Sequence, residues 1–278
     1  MLEKRDMSSL SMEQCIEWLL PKSIQRNIAG KAYRADNVGM SKAKILVFDD
    51  CVLKIDFKRQ KNDETVAMMR WLEGKLPVPK VICYEQDEER QYLLMSRVPG
   101  RMSCDEYYLS RPKELVARLA EALQLLWSVD ITDCPCSRGL DEELAEARFR
   151  VENGLVDIGN VEPTTFGPGG FQNPADLLRW LETNKPDYEP VLSHGDLCLP
   201  NIFIDGDRVS GLIDLGACGI GDRWRDIALC YRSLRWNAEG AYGGKVYPDV
   251  KSQMLFDALS IEPDLEKIRY YILMDELF

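Results

Sequence analysis

Asp196, Asn201 and Asp214 stand in one stretch, LSHGDLCLPNIFIDGDRVSGLIDLGACGIGDRWRD, residues 192–226. Asn201 follows Asp196 by five residues and Asp214 follows it by eighteen, at the end of an apolar run. A carboxylate, an amide and a second carboxylate so spaced are the parts that magnesium-dependent phosphoryl transfer needs. The first carboxylate orients an acceptor hydroxyl. The amide and the second carboxylate hold the metal on the nucleotide phosphates. His194, the only histidine of the chain, lies two residues before Asp196. A histidine inside a structured loop more often braces that loop through hydrogen bonds than acts as a base.

Such residues need a loop held by strands and helices. Residues 190–193 lead into the loop 194–200, and 201–204 with 209–213 form a short hairpin about the Gly206-Asp207 turn. A helix over 222–236 follows, with two more near 248–259 and 263–277. Upstream, 111–128 carries Leu115, Leu119, Leu123 and Leu126 on one helical face. Residues 140–152 and 176–182 read as helices and 162–171 as a loop. The N-terminal part is different. Ser11 to Gln14 fits a capping box ahead of a short peripheral helix ending at Pro21. Two hairpins come next, 44–48 with 51–55 around Asp49-Asp50, and 81–84 with 92–96. Between them lies a helix over 62–74, with Asp63 and Glu64 in its first turn. The pattern predicts an α+β chain of two lobes: a β-rich N-lobe over 1–98, a hinge about 96–100, and a mainly helical C-lobe over 99–278. Arg97-Val98-Pro99-Gly100 marks the hinge, because Pro and Gly break both strand and helix.

Two N-lobe features could meet phosphates. The Gly39-Met40-Ser41-Lys42 turn could lay backbone N–H groups over them, or be an ordinary turn. Lys54 is a lone base in an apolar strand. Facing inward it needs an anion, a phosphate or Glu64; facing outward it is an unremarkable strand lysine. The whole chain sets further bounds. Its 278 residues suit two lobes better than one core. A net charge of −11 argues against nucleic acid and suits a polycationic small molecule, although solubility alone also favours it. There is no run of apolar residues long enough for a membrane span, and no secretory leader at the N-terminus. Nine scattered cysteines with one histidine point to reduced thiols in the cytoplasm rather than to zinc.

The pattern H-G-D-x-x-x-x-N, a strand, then D-x-G resembles the protein-kinase set H-R-D-x-x-x-x-N and D-F-G. The resemblance extends to the aminoglycoside phosphotransferase family, above all its 3′-phosphotransferase branch. It rests on GMSKAK (39–44), WLEGKLPVPKV (71–81), LLMS (93–96), DITDCP (130–135), SHGDLCLPNIF (193–203), SGLIDLG (210–216), DRWRDIALCYRS (222–233) and YYILMDELF (270–278). The fold it implies is protein-kinase-like. Asp196 would then be the catalytic carboxylate, with Asn201 and Asp214 holding Mg²⁺. Lys54, partnered by Glu64, would contact the phosphates of ATP or GTP, and Ser41 would lie in a flap over them. Ser96 to Val98 would read the adenine, with Met95 behind it. His194 and Asp226 would brace the catalytic loop. Asp275, Glu276 and the carboxylate of Phe278 would bind the amino groups of the antibiotic; the alternative for them is a frayed, solvated end.

The chain also departs from that family. Its relatives carry the partner of the lysine one position later, where Thr65 stands. Ala217 replaces the usual arginine after D-x-G, and Trp236 replaces an acidic residue; both positions lie toward the substrate. Glu162, from the central loop, could compensate. The leading expectation is an enzyme phosphorylating an aminoglycoside hydroxyl. The alternatives are a kinase for another small cationic alcohol or amino sugar, and a nucleotide-binding protein without catalysis. The hydroxyl modified and the choice of ATP or GTP stay open.

Overall fold

The computed structural model describes residues 20–36, 43–58 and 60–278. The chain divides into two compact units, Met1–Val66 with Pro79–Arg97, and Ala67–Val78 with Val98–Phe278. The expected capping box and the helix after it lie outside the described residues, except for Leu20 and Pro21, as do Ser41 and the Gly39 turn.

In the first unit, α1 (Lys22–Ile28) starts directly after Pro21. The sequence reading has Pro21 as a helix stop. Pro21 stands directly before α1, a helix that the sequence reading does not place; the helix it is expected to end lies outside the described residues. Leu20, Ile24 and Ile28 are buried, so α1 and the residue ahead of Pro21 belong to the core. They pack with Leu46, Phe48, Cys51, Leu53, Tyr92 and Leu94 from one face of a five-stranded antiparallel sheet. Its strands are β1 (Tyr33–Asp36), β2 (Lys44–Phe48), β3 (Cys51–Phe57), β4 (Val81–Gln86) and β5 (Arg90–Ser96), in the order β1-β2-β3-β5-β4. The β4–β5 hairpin runs further than expected. Asp87 accepts the N–H groups of Glu89 and Arg90 at 2.9 and 2.7 Å, and this side-chain turn lets both strands extend to it. α2 (Gln60–Leu72) begins before residue 62, so Glu64 opens its second turn rather than sitting in the first. Asp63 accepts from Tyr84 Oη at 2.8 Å and Gln86 Nε2 at 2.7 Å, which ties α2 to β4.

The second unit is mainly helical. α3 (Glu106–Leu109), α4 (Pro112–Trp127), α5 (Leu140–Glu152), α6 (Pro174–Thr183), α7 (Arg223–Glu239), α8 (Met254–Leu259) and α9 (Leu265–Asp275) surround two small sheets. The first sheet holds β6 (Arg101–Met102), β8 (Ile202–Asp205) and β9 (Arg208–Leu212). The second pairs β7 (Pro190–Ser193) with β10 (Gly219–Asp222), antiparallel. Proline stands at the first position of α4 and of α6, where its missing N–H is no loss. Leu115, Leu119, Leu123 and Leu126 of α4 are fully buried, as their spacing predicts. α9 starts later than expected because Asp264 caps it, accepting from Lys267 N–H at 3.0 Å. β10 was invisible to strand patterning: two of its four residues are glycine. One of them, Gly219, lies where a Cβ would come within 2.8 Å of the Cys136 carbonyl oxygen, so the close packing on residues 136–138 requires it.

Candidate active site

β7 delivers the chain into the loop 194–200, and α7 grips that loop from below. Asp226, in the first turn of α7 and fully buried, accepts His194 N–H and Gly195 N–H at 2.9 Å each. Its place near a helix N-terminus favours the charge. Arg225 donates from Nε to Gly195 O at 2.9 Å and pairs with Glu143 of α5 at 2.9 Å. Ser233, two turns on, accepts Leu199 N–H at 3.0 Å. Gly195 has φ +79°, and a Cβ there would lie 2.3 Å from Ala217 O and 2.7 Å from Ala217 Cβ. Only glycine fits, which gives the physical reason for H-G-D in place of H-R-D.

His194 is fully buried. Its Nε2 lies 2.9 Å from Ile213 O, and its Nδ1 faces Asp196 N–H at 3.3 Å. The backbone N–H needs an acceptor and the carbonyl a donor, so the proton belongs on Nε2. The ring thus links the residue before Asp214 to Asp196. Asn201 completes the tie, since its carbonyl accepts Ile213 N–H at 3.0 Å. Asp214 itself adopts a left-handed conformation, φ 61° and ψ 57°, a position sparsely used outside glycine.

Asp196 is held on both carboxylate oxygens. The Cys198 thiol donates to Oδ1 at 3.1 Å, and Asn201 Nδ2 donates to Oδ2 at 3.1 Å. Burial raises the Asp196 pKa, opposed by His194 and the Cys198 thiol, while Asp275 and Asp214 add to the rise. Burial, with Asp196 adding to it, also pushes Cys198 well up, so its thiol keeps the proton it donates. Asn201 Nδ2 also donates to Asp196 O at 2.9 Å, which commits the amide nitrogen to Asp196 and turns its oxygen away. An amide oxygen and the Asp214 carboxylate are hard donors. They fit magnesium, which takes few protein ligands and shares the rest of its shell with phosphates and water.

The carboxyl-terminal residues are docked rather than frayed. Arg232 of α7 pairs with Asp275 and with Glu276, the latter at 3.4 Å. Glu276 is buried, and its other oxygen accepts Glu162 N–H at 2.9 Å. Glu162 pairs with Arg235 at 3.0 Å. Arg150 donates to Leu277 O at 2.8 Å and to Phe278 O. Trp236 lies beside this cluster, with the Arg232 guanidinium 5.0 Å from its ring centroid. The structure therefore brings Asp275, Glu276, Glu162 and Trp236 together and neutralises the acids internally. Burial lifts Glu276 to about 7.

In the first unit Lys54 sits mid-strand on β3, half-buried, opposite Ile45 and Leu93. Glu64 is half-buried on α2. Met95 and Ser96 end β5; Ser96 N–H donates to Lys80 O at 2.9 Å and Ser96 Oγ accepts Lys80 N–H at 2.9 Å. Val98 is buried in the second unit against Gly211 of β9, where a Cβ would meet it at 2.6 Å.

The model of the phosphotransferase enzyme family matches residues 34–249. The chain belongs to this family. An aminoglycoside 3′-phosphotransferase of Enterococcus faecalis is 41% identical over 255 residues, 87% of this chain and 92% of that protein. One of Staphylococcus aureus is 41% identical over 254 residues, with the same shares covered. The crystal structure of a type VIII aminoglycoside-3′-phosphotransferase superposes with a TM-score of 0.76 at 26% identity, over 92% of this chain and 96% of that one. The fold is thus the kinase-like one of these phosphotransferases, as the sequence leads one to expect. Among the described residues, no helix is long and apolar enough to cross a membrane.

Sequence reasoning missed Cys198, Arg225 and Arg232 in this phosphotransferase. Cys198 lies inside the motif but carries no signal by type. The two arginines stand seven residues apart on α7, two turns along one face, so helical spacing from Arg225 could have found Arg232.

Proposed function

We propose that this phosphotransferase carries out magnesium-dependent transfer of the γ-phosphate of ATP or GTP to a hydroxyl of an aminoglycoside, in the cytoplasm, so conferring resistance. The observation that carries the reading is the Asp196 carboxylate, fixed by Cys198 and Asn201 and linked through His194 to the residue before Asp214. The 41% identity to aminoglycoside 3′-phosphotransferases supports the choice of acceptor.

In this reading the acceptor oxygen attacks the γ-phosphorus, and its proton passes to a carboxylate oxygen of Asp196. The bond from that phosphorus to the leaving nucleoside diphosphate breaks. A raised pKa suits Asp196 to a proton-accepting role near neutral pH. Asn201 and Asp214 would hold magnesium, which when bound neutralises phosphate charge. Lys54, partnered by Glu64, and the Ser41 turn serve the phosphates; Met95, Ser96 and Val98 serve the base. His194 and Asp226 keep the loop in place. Glu162, Asp275, Glu276 and the Phe278 carboxylate receive the ammonium groups of the acceptor, beside Trp236.

Coupled nucleotide-consumption assays across an aminoglycoside panel test the reading. Asp196→Ala should lower turnover by about 10³-fold, with nucleotide affinity retained. Near-normal turnover in that variant removes Asp196 from its role. Ala217 and Trp236 favour the second reading, a kinase for another small cationic alcohol. Turnover of such an alcohol with none of any aminoglycoside would move the acceptor and keep the chemistry. No consumption with any acceptor would leave a nucleotide-binding protein.

A further inference from the structure

The end of α7 and the loop after it carry an aromatic pair. Trp236 and Tyr242 meet edge to face, ring centroids 6.0 Å apart. Arg232 already lies over the Trp236 ring and pairs with Asp275 and Glu276. Tyr242 differs, being 64% exposed.

The loop that carries Tyr242 is built, not loose. Gly240 takes the left-handed conformation that closes α7, with Ala241 N–H bonded to Trp236 O at 3.0 Å. Gly243 N–H reaches Gly240 O at 3.0 Å, and Tyr247 N–H reaches Ala238 O at 2.8 Å. Lys245 pairs with Glu106 of α3 at 3.0 Å. Partial burial raises the Tyr242 phenol pKa, with the charge of Asp196 adding and Arg232 opposing. An exposed ring so placed, edge to face with the tryptophan that lies against Arg232 and its acid partners, has the chemistry of a cation partner.

We propose that Tyr242 is a specificity-determining residue of the acceptor site, its exposed face taking an ammonium-bearing sugar ring of the substrate while Trp236 backs it. This rests on the acceptor assignment above. The aromatic face attracts a cation without adding another buried anion to a cluster that already holds Glu162, Asp275 and Glu276.

The test is steady-state kinetics of the full chain with kanamycin and neomycin, at saturating nucleotide, for Tyr242→Ala, Tyr242→Leu and Tyr242→Phe. Ala and Leu should each raise the acceptor KM about fivefold, with kcat and the nucleotide KM little changed, and Phe should restore the wild-type KM. Calorimetric titration of kanamycin without nucleotide should show the same order. An unchanged acceptor KM in Tyr242→Ala overturns the inference, as does a Leu variant that behaves like Phe, because bulk rather than the ring would then suffice. A loss confined to kcat also overturns it. If the wild-type chain turns over no aminoglycoside, the acceptor assignment fails and takes this inference with it. If it does and the variants match it, this inference alone fails.

Discussion

Glu276 shows how a single side chain can set a condition for binding. Burial raises its pKa to about 7, opposed by the Glu162 N–H bond and by Arg232. Below that value it is largely neutral and offers a cation little. Above it the carboxylate is charged, and a bound ammonium group favours that form further. Acceptor KM should therefore fall as pH rises from 6 to 7.5, by about fivefold, and Glu276→Gln should flatten that part of the profile. Acceptor KM measured across this range checks it; an equal slope in wild type and variant would assign the titration elsewhere. The Asp196, Asn201 and Asp214 set was legible because one loop and one hairpin fix their spacing. The thiol on Asp196 Oδ1 was not, since a cysteine is a common core residue and only geometry shows what it donates to. Arg232 answers a question the sequence left open: Glu276 stays buried and Asp275 half-buried because α7 supplies a cation.

At the scale of elements, the catalytic loop hangs on a buried pair between two helices. Arg225 of α7 reaches both Gly195 O and Glu143 of α5, and both partners are buried. Removing one leaves the other charge uncompensated in the interior. Glu143→Ala should destabilise the fold by about 3 kcal/mol, measured by urea unfolding, and should lower turnover through the loop it releases. Unchanged unfolding would show the pair to be dispensable. Long helices such as α4 and α5 were readable because period and length agree. α1 and β10 were not. Pro21 can end a helix or precede one, and local sequence does not say which. β10 packs closely on residues 136–138 because glycines at 219 and 221 allow the backbone approach, a tertiary reason that no strand propensity expresses.

Across the whole molecule, 46 acidic against 35 basic residues give a net charge of −11. A polycationic acceptor is drawn to such a field, and salt screens it. kcat/KM for an aminoglycoside should fall about tenfold between roughly 0.01 and 0.15 M salt, while kcat holds. A flat response would confine the attraction to contacts within the site. One feature of the architecture bears on how such a protein can change over generations. The inward side of α7 is committed along its length: Arg225 and Asp226 to the loop, Ser233 to Leu199, Arg232 to the acids at 275 and 276. A substitution there risks the chemistry along with the recognition. The loop 240–247 begins where that commitment ends, meets Trp236 through the Tyr242 ring and the Ala241 N–H, and is otherwise held by backbone bonds and the Lys245–Glu106 pair. Its sequence can drift at small cost to the machinery, so new antibiotic spectra have their freest route there.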